Sequence, residues 1–178
     1  MLSSGKMAFW ILATGLVVVL AATFDLLPPV VASHFDAAGA PNGWSSRRVH
    51  SLVILMIGVG LPLMIVGLVR FLTRSGPEGL NIPAREYWTR PEHGGEAVRR
   101  VRAYMWWLGG VMAGTALVVH VLVLAANRSQ PPHLRNDLMY LMLAAVLLVI
   151  GVWALGWYRL LRPPGQAERQ ASGTRHRR

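Results

Sequence analysis

A group of histidine, carboxylate and amide side chains near residue 34 is the part of this sequence that could bind a cation. The candidates are His34 and Asp36, which flank Phe35, together with Asp25, Asn42 and His50. Imidazole and carboxylate are ligands for borderline and hard cations, but a zinc site normally has three or four ligands at a regular spacing. Because no such spacing is present, we expect no bound metal or other cofactor. We expect His34 to hydrogen-bond loop carbonyls and Asp36 to cap a turn or a short helix, with binding of a metal or an external ligand as the alternative.

His120 is a second candidate, because it lies deep in an apolar segment where an ionisable side chain is costly. Small residues precede it at helical spacing, namely Gly109, Ala113 and Ala116, and this stripe predicts close packing against a neighbouring helix. Such a histidine could relay protons or line a polar cavity. Because no carboxylate accompanies it, we favour a neutral imidazole that is hydrogen-bonded to a backbone carbonyl.

Other reactive chemistry is not supported by the sequence. It has no cysteine, so a disulfide, a thiolate metal site and a cysteine nucleophile are excluded. We find no Ser-His-Asp order, no phosphate-binding loop and no metallohydrolase motif. We therefore predict that the protein is not an enzyme.

Four long apolar blocks must position these side chains. Of the residues, 53% are apolar and 15% are charged, and the apolar ones are concentrated at 7–27, 49–72, 103–126 and 138–161. About 20 residues of helix cross the ~30 Å hydrocarbon core of a bilayer. A soluble bundle would need polar residues every third or fourth position, and residues 53–69 contain no charged side chain. The sequence therefore predicts an all-α membrane protein with four transmembrane helices, the second of them kinked at Pro62.

The distribution of positive charge predicts how these helices are oriented. Most of the 18 lysines and arginines flank the N-terminus, the loop between the second and third blocks, or the C-terminus. The exceptions are Arg47, Arg48, Arg128 and Arg135. Because Lys and Arg of short loops stay in the cytoplasm, both termini and the second loop are predicted to be cytoplasmic. The net charge of +10 is attributed to anionic lipid and not to nucleic acid, since the arginines flank membrane spans.

Residues 1–162 are thus predicted to form one transmembrane domain. A basic tail at 163–178 lacks apolar periodicity and is expected to be disordered near the acidic inner leaflet. A cleaved signal peptide is the alternative for the first block, although its apolar run is longer than the ~7–15 residues usual there.

The first loop, between the first two blocks, is predicted to be a compact extracytoplasmic cap. Residues 30–35 are expected to be extended, and Pro41-Asn42-Gly43 has the residue order of a tight β-turn. Gly39 permits a positive φ. Phe35 and Trp44 are expected to anchor the loop on the bundle mouth or at the lipid interface.

The longer second loop is predicted to lie at the cytoplasmic membrane surface. It contains Tyr87 and Trp88 among several arginines. Aromatic side chains prefer the headgroup level, and arginines pair with lipid phosphates. We therefore expect Tyr87 and Trp88 to anchor in lipid, with a cytoplasmic partner protein as the alternative occupant of this patch.

Two segments of these loops form recognisable motifs. The first is His-Phe-x-x-x-Gly-x-Pro-x-Gly-Trp, formed by His34, Phe35, Gly39, Pro41, Gly43 and Trp44. The second is Asn-x-Pro followed by Tyr-Trp and then Pro-Glu, formed by Asn81, Pro83, Tyr87, Trp88, Pro91 and Glu92. With these motifs and its four spans, the chain resembles the bacterial membrane proteins that carry the domain of unknown function numbered 1648, over about residues 7–160.

The resemblance implies location in the bacterial cytoplasmic membrane and a distant relation to immunity proteins that act against a secreted sporulation-delay toxin. Some members of the family continue into a second domain related to those immunity proteins. We find no arginine-threonine-proline-tryptophan segment of the kind associated with that domain. Immunity is therefore an expectation from resemblance and is assigned to no residue.

These features favour a binding or signalling module, immunity-like in one form, in which the first loop senses an extracytoplasmic ligand such as a peptide and the second reports inward. The residues assigned to the ligand are His34, Phe35, Asp36, Gly39, Pro41, Asn42, Gly43 and Trp44. Two other functions stay open: a small transporter or permeability factor that uses His120 and the Pro62 kink, and an accessory subunit of a larger membrane complex. The expected partners are anionic lipids, a membrane or cytoplasmic protein, or a second copy of the chain.

Overall fold

The computed structural model describes residues 4–163 and is dominated by four helices that are long and apolar enough to cross a membrane. These spans are Ser4–Leu26, Arg47–Leu72, Pro91–Ala126 and Asn136–Leu160. The prediction of four spans is confirmed, although the third helix begins well before the predicted residue 103. Residues 164–178, which hold nearly all of the predicted disordered tail, lie outside the described residues.

The elements follow one another in a simple order. Helix α1 (Ser4–Thr23) continues as a 3₁₀ turn (Phe24–Leu26), and strands β1 (Val30–Phe35) and β2 (Pro41–Ser46) pair as an antiparallel hairpin. The second span consists of α2 (Arg47–Leu55), a π-helical segment (Met56–Gly60) and α3 (Leu61–Leu72). The remaining helices are the short α4 (Arg85–Trp88), α5 (Pro91–Ala126) and α6 (Asn136–Leu160).

The two ends of the bundle carry different structures. At one, which we call the hairpin end, the N–H of Leu134 between α5 and α6 donates to the carbonyl of Gly39 at 2.9 Å. At the other, the arginine end, the indole N–H of Trp88 in the second loop donates to the carbonyl of Leu161 after α6, at 2.7 Å. The first and third loops therefore meet at one end, and the second loop meets the end of α6 at the other.

Small side chains let α5 pack closely against α1 and the second span. Gly109, Ala113 and Ala116 are buried, as the predicted stripe requires. A Cβ atom on Gly109 would lie 3.1 Å from Cδ2 of Phe9 and 3.4 Å from Cβ of Pro62. Such close approach is how helices associate in lipid, where there is no hydrophobic driving force between them.

The second span departs from α-helical geometry immediately before Pro62. The N–H of Leu61 donates to the carbonyl of Met56, which closes a π-helical turn. Proline lacks an N–H and its ring displaces the carbonyl one turn earlier, so helices become irregular beside it. Gly58, inside this segment, packs against Leu16 and Ala116, and a Cβ atom there would lie 2.9 Å from Cβ of Ala116.

The side chain of Trp88 is buried in protein, so the prediction that it anchors in lipid is wrong. It is 2% exposed and donates to the carbonyl of Leu161. Its neighbours are buried apolar residues: Ile82, Ala97 and Val101. The second loop therefore folds back over the end of α6. Tyr87 is half-buried and stacks on His93, with ring centroids 4.0 Å apart.

Two arginines at this end bind the C-terminal ends of helices. Arg102 donates through Nε to the hydroxyl of Thr73 at 2.8 Å and through Nη2 to its carbonyl at 2.9 Å, at the end of α3. Arg100 donates to the carbonyl of Leu160 at 2.8 Å, at the end of α6. The last carbonyls of a helix lack intrahelical partners and carry partial negative charge, so guanidinium groups stabilise them.

Candidate functional site

The hairpin is the first part of the candidate site. Residues 30–35 are extended, as predicted, but the tight turn predicted at Pro41-Asn42-Gly43 is wrong, because these residues form the start of β2. The turn lies earlier. One carboxylate oxygen of Asp36 accepts the N–H groups of Ala38 and Ala40, both at 2.9 Å, which closes the chain on itself and confirms Asp36 as a turn cap.

Polar contacts fix the hairpin to the rest of the bundle. The side chain of Asn127, at the end of α5, accepts the N–H of Ala32 at 2.8 Å and donates to its carbonyl at 2.9 Å. The amide of Asn136, at the start of α6, donates to the carbonyl of Ala37 at 3.0 Å. The hairpin is therefore held by two transmembrane helices that do not adjoin it in sequence.

The first motif divides into residues that shape the hairpin and residues that its surface presents. Phe35 packs inward on a buried cluster formed by Leu27, Val31, Val123 and Leu124. A Cβ atom on Gly43 would lie 3.0 Å from Cβ of His34, so the two strands need glycine there. By contrast His34, Asn42 and Trp44 are exposed, Trp44 at 54%. Because side chains alternate along a strand, Asn42 and Trp44 share the outward face of β2.

Gly39 provides a direct test of the hairpin's geometry. Its φ of +83° favours glycine, and a Cβ atom there would clash with the carbonyl of Leu134 and lie 2.7 Å from Oδ1 of Asn136. We expect Gly39→Ala to lower the free energy of unfolding by about 1–2 kcal/mol. Thermal unfolding in detergent measures this. Gly15→Ala is the control, because nothing lies within 4 Å of its Cβ position and no loss is expected; equal losses in both variants would refute the strained turn.

Three hydrogen-bonding side chains form a second, buried part of the candidate site at the hairpin end. His120 is 0% exposed and His50 is 5% exposed. Nε2 of His50 lies 3.2 Å from Nδ1 of His120, and Nε2 of His120 lies 2.8 Å from the hydroxyl of Thr23. That hydroxyl donates to the carbonyl of Val19 at 2.7 Å. The helices α1, α2 and α5 are therefore joined by one polar chain.

The direction of each hydrogen bond in this chain follows from its last member. Because the Thr23 hydroxyl donates its only proton to a carbonyl, it must accept from Nε2–H of His120. Nδ1 of a neutral His120 is then an acceptor, so Nε2–H of His50 donates to it. Both hydrogen bonds can form with neutral imidazoles. The partners of His120 are a histidine and a hydroxyl, so the prediction of a backbone carbonyl partner is wrong.

His50 is grouped by sequence with the candidate cation ligands of the outer side, but it lies inside the bundle, where it contacts His120. A signal was available, because His50 follows the start of its span closely and His120 precedes the end of its own, so antiparallel helices place them at similar depth. The proposed cation ligands are not brought together either: Asp25 pairs with Arg47 at 3.1 Å. Within residues 4–163, no group of three or more His, Asp or Glu side chains could hold a metal.

The second motif serves the arginine end. Asn81 is exposed and Pro83 is half-buried. Trp88 covers the end of α6, and Tyr87 packs against the same buried cluster. This motif lies at the opposite end of the bundle from the hairpin, so the two motifs do not form one site.

The fold defines the class of protein: a multi-pass membrane protein in which a small hairpin caps one end of four apolar helices. Residues 10–59 match the family model described as "Domain of unknown function (DUF1648)". The match spans most of α1, the whole hairpin and α2 into the π-helical segment, and over these residues the chain resembles that family. No curated protein and no solved structure matches the chain.

Proposed function

We propose that the protein is a binding and signalling module of the bacterial cytoplasmic membrane that recognises an extracytoplasmic ligand, such as a peptide, on the outward face of its hairpin. The observation that carries the proposal is the exposure of Trp44, at 54%, beside exposed Asn42 on the outward face of β2. Tryptophan is common among residues that dominate binding energy, because it buries a large rigid surface at low entropic cost.

The distribution of charge supports this orientation. The arginine end carries most of the basic residues, and the hairpin end has few. Under the positive-inside rule, the arginine end with both chain termini lies in the cytoplasm and the hairpin lies outside. The hairpin is then accessible to ligands on the extracytoplasmic side of the membrane.

Helix α5 is the element that would report binding to the cytoplasmic side. Its hairpin end is bonded to β1 through Asn127, and its other end carries Arg100 and Arg102, which hold the ends of α6 and α3. The helix has 36 residues, a length of about 54 Å. A shift of the hairpin would therefore displace α5 and change the conformation of the second loop, to which a cytoplasmic partner protein would bind.

Proton transport through His120 receives less support. The hydrogen-bonded chain ends on the carbonyl of Val19, which is already bonded within its helix and has no proton to pass on. A relay needs a further donor or acceptor at that point, and none follows among the hydrogen bonds of the described residues. We therefore regard the histidine pair as a structural tie between helices.

Site-specific photo-cross-linking in intact cells tests the proposal. A photoreactive amino acid at exposed position 42 is expected to form a discrete adduct with a peptide or protein, identified by mass spectrometry. Trp44→Ala should reduce the yield at least tenfold, since a loss of about 2 kcal/mol is typical of such residues. Trp10→Ala is the matched control, because Trp10 is 43% exposed but lies on α1 outside the hairpin. Adducts with lipid alone, unchanged by Trp44→Ala, would refute the proposal.

A further inference from the structure

Helix α6 stands apart from the bundle over much of its length. None of its residues between Asn136 and Leu160 is buried. It is attached at the arginine end, where Tyr104 donates to the carbonyl of Trp153 at 2.8 Å and stacks on that ring, and at the hairpin end through Asn136. Between these attachments a groove separates α6 from α1 and α5.

The groove is apolar and has the size of a ligand site. Its volume is about 550 Å³, and its walls include Leu12 of α1, Gly110 and Gly114 of α5, and Ala145 of α6. Along α5 it extends from Trp107 to Val118, a rise of about 17 Å. One leaflet contributes about half of the ~30 Å hydrocarbon core, so the groove is about as long as one leaflet is deep.

A smaller cavity, which two arginines help to line, adjoins the groove at its arginine end. Trp107 lines both, and the smaller cavity of about 270 Å³ also includes Ser4, Arg99 and Arg100. Both guanidinium groups pair with the single carboxylate of Glu96 on the same helix. Two positive charges against one negative charge leave a net positive charge, and the side chain of Arg99 is 75% exposed.

We propose that the groove and the adjoining cavity together bind one anionic phospholipid, with its phosphate at Arg99 and one acyl chain between α5 and α6. An apolar space of this size is filled in a membrane, because an empty one forfeits dispersion contacts and water would find no polar partners. Guanidinium groups form charge-assisted hydrogen bonds with phosphate oxygens. A net positive charge at the head of the groove and a leaflet-deep apolar channel below it match the two parts of that lipid.

Native mass spectrometry of the full chain in detergent tests this lipid site. The protein is delipidated and titrated with phosphatidylglycerol or phosphatidylcholine of identical acyl chains. We expect one phosphatidylglycerol per chain, retained at least tenfold better than phosphatidylcholine. Arg99→Gln should remove this preference, whereas Arg90→Gln, at the same end but outside the cavity, should keep it.

Variants that fill the groove complete the test. Ala145→Leu places a larger side chain in the groove. Ala144→Leu is the matched control, because Ala144 is exposed and does not line the groove. The first should lose at least tenfold in lipid retention and the second should not. Val118→Phe repeats the test from α5 if Ala145→Leu fails to fold. Equal lipid retention by all variants would overturn the proposal. So would a lipid-free dimer that Ala145→Leu disrupts, because a second copy of the chain would then fill the groove.

Discussion

Replacement of Trp88 by alanine is expected to lower the free energy of unfolding by about 3–5 kcal/mol, the largest loss we expect from any tryptophan of the described chain. The indole is 2% exposed, donates to the carbonyl of Leu161 and lies under the guanidinium of Arg100, 5.2 Å from its ring centroid. Its removal leaves a cavity where the second loop meets the end of α6. Chemical denaturation in detergent measures the loss. Unfolding is monitored by far-UV circular dichroism, because the substitution itself alters tryptophan fluorescence.

Two companion variants separate the causes of that loss. Trp88→Phe keeps most of the apolar contact but leaves the buried carbonyl of Leu161 without its donor, so about 1–3 kcal/mol should be lost. Trp44→Ala is the control, because that side chain is 54% exposed and its removal should change stability by less than about 0.5 kcal/mol. If Trp88→Ala were no more destabilising than Trp44→Ala, the second loop would not be docked as described.

The histidine pair gives the second large expected effect. His120→Leu leaves the buried Nε2–H of His50 without its acceptor and the Thr23 hydroxyl without its donor. A stranded buried donor costs about 1–3 kcal/mol, and the reverse variant His50→Leu strands Nδ1 of His120 at a similar cost. Unfolding in denaturant, measured for both single variants, is expected to show a loss in this range for each.

The double variant distinguishes pairing from two unrelated losses. With both histidines replaced by leucine, neither imidazole is stranded, so the total loss should be smaller than the sum of the single losses by at least about 0.5 kcal/mol. His34→Leu is the control, since the exposed His34 side chain contacts the hydroxyl of its neighbour Ser33 at 3.2 Å and takes no part in the buried pair. Additive losses in the double variant would contradict the hydrogen bond between His50 and His120.

The first motif illustrates how far local sequence can predict function. Its glycines and Asp36 are explained by backbone geometry, since Gly39 takes a positive φ and Asp36 accepts two turn N–H groups. Such roles depend on neighbours in sequence, so a motif can reveal them. The position of the turn itself was mispredicted, because Pro41-Asn42-Gly43 is compatible with a turn but the contacts of Asp36 close the chain earlier.

The sequence by itself determined the number of spans, the small-residue stripe that ends at His120 and the end of the bundle that carries the arginines. These depend on the length, periodicity and charge of continuous segments, which are local properties. Only the tertiary structure decided that His50 pairs with His120, that Trp88 covers the end of α6, and that Arg102 binds the end of α3. Each of these contacts joins residues far apart in the chain. Which distant polar groups meet depends on how helices pack and where loops fold back, and composition does not encode that.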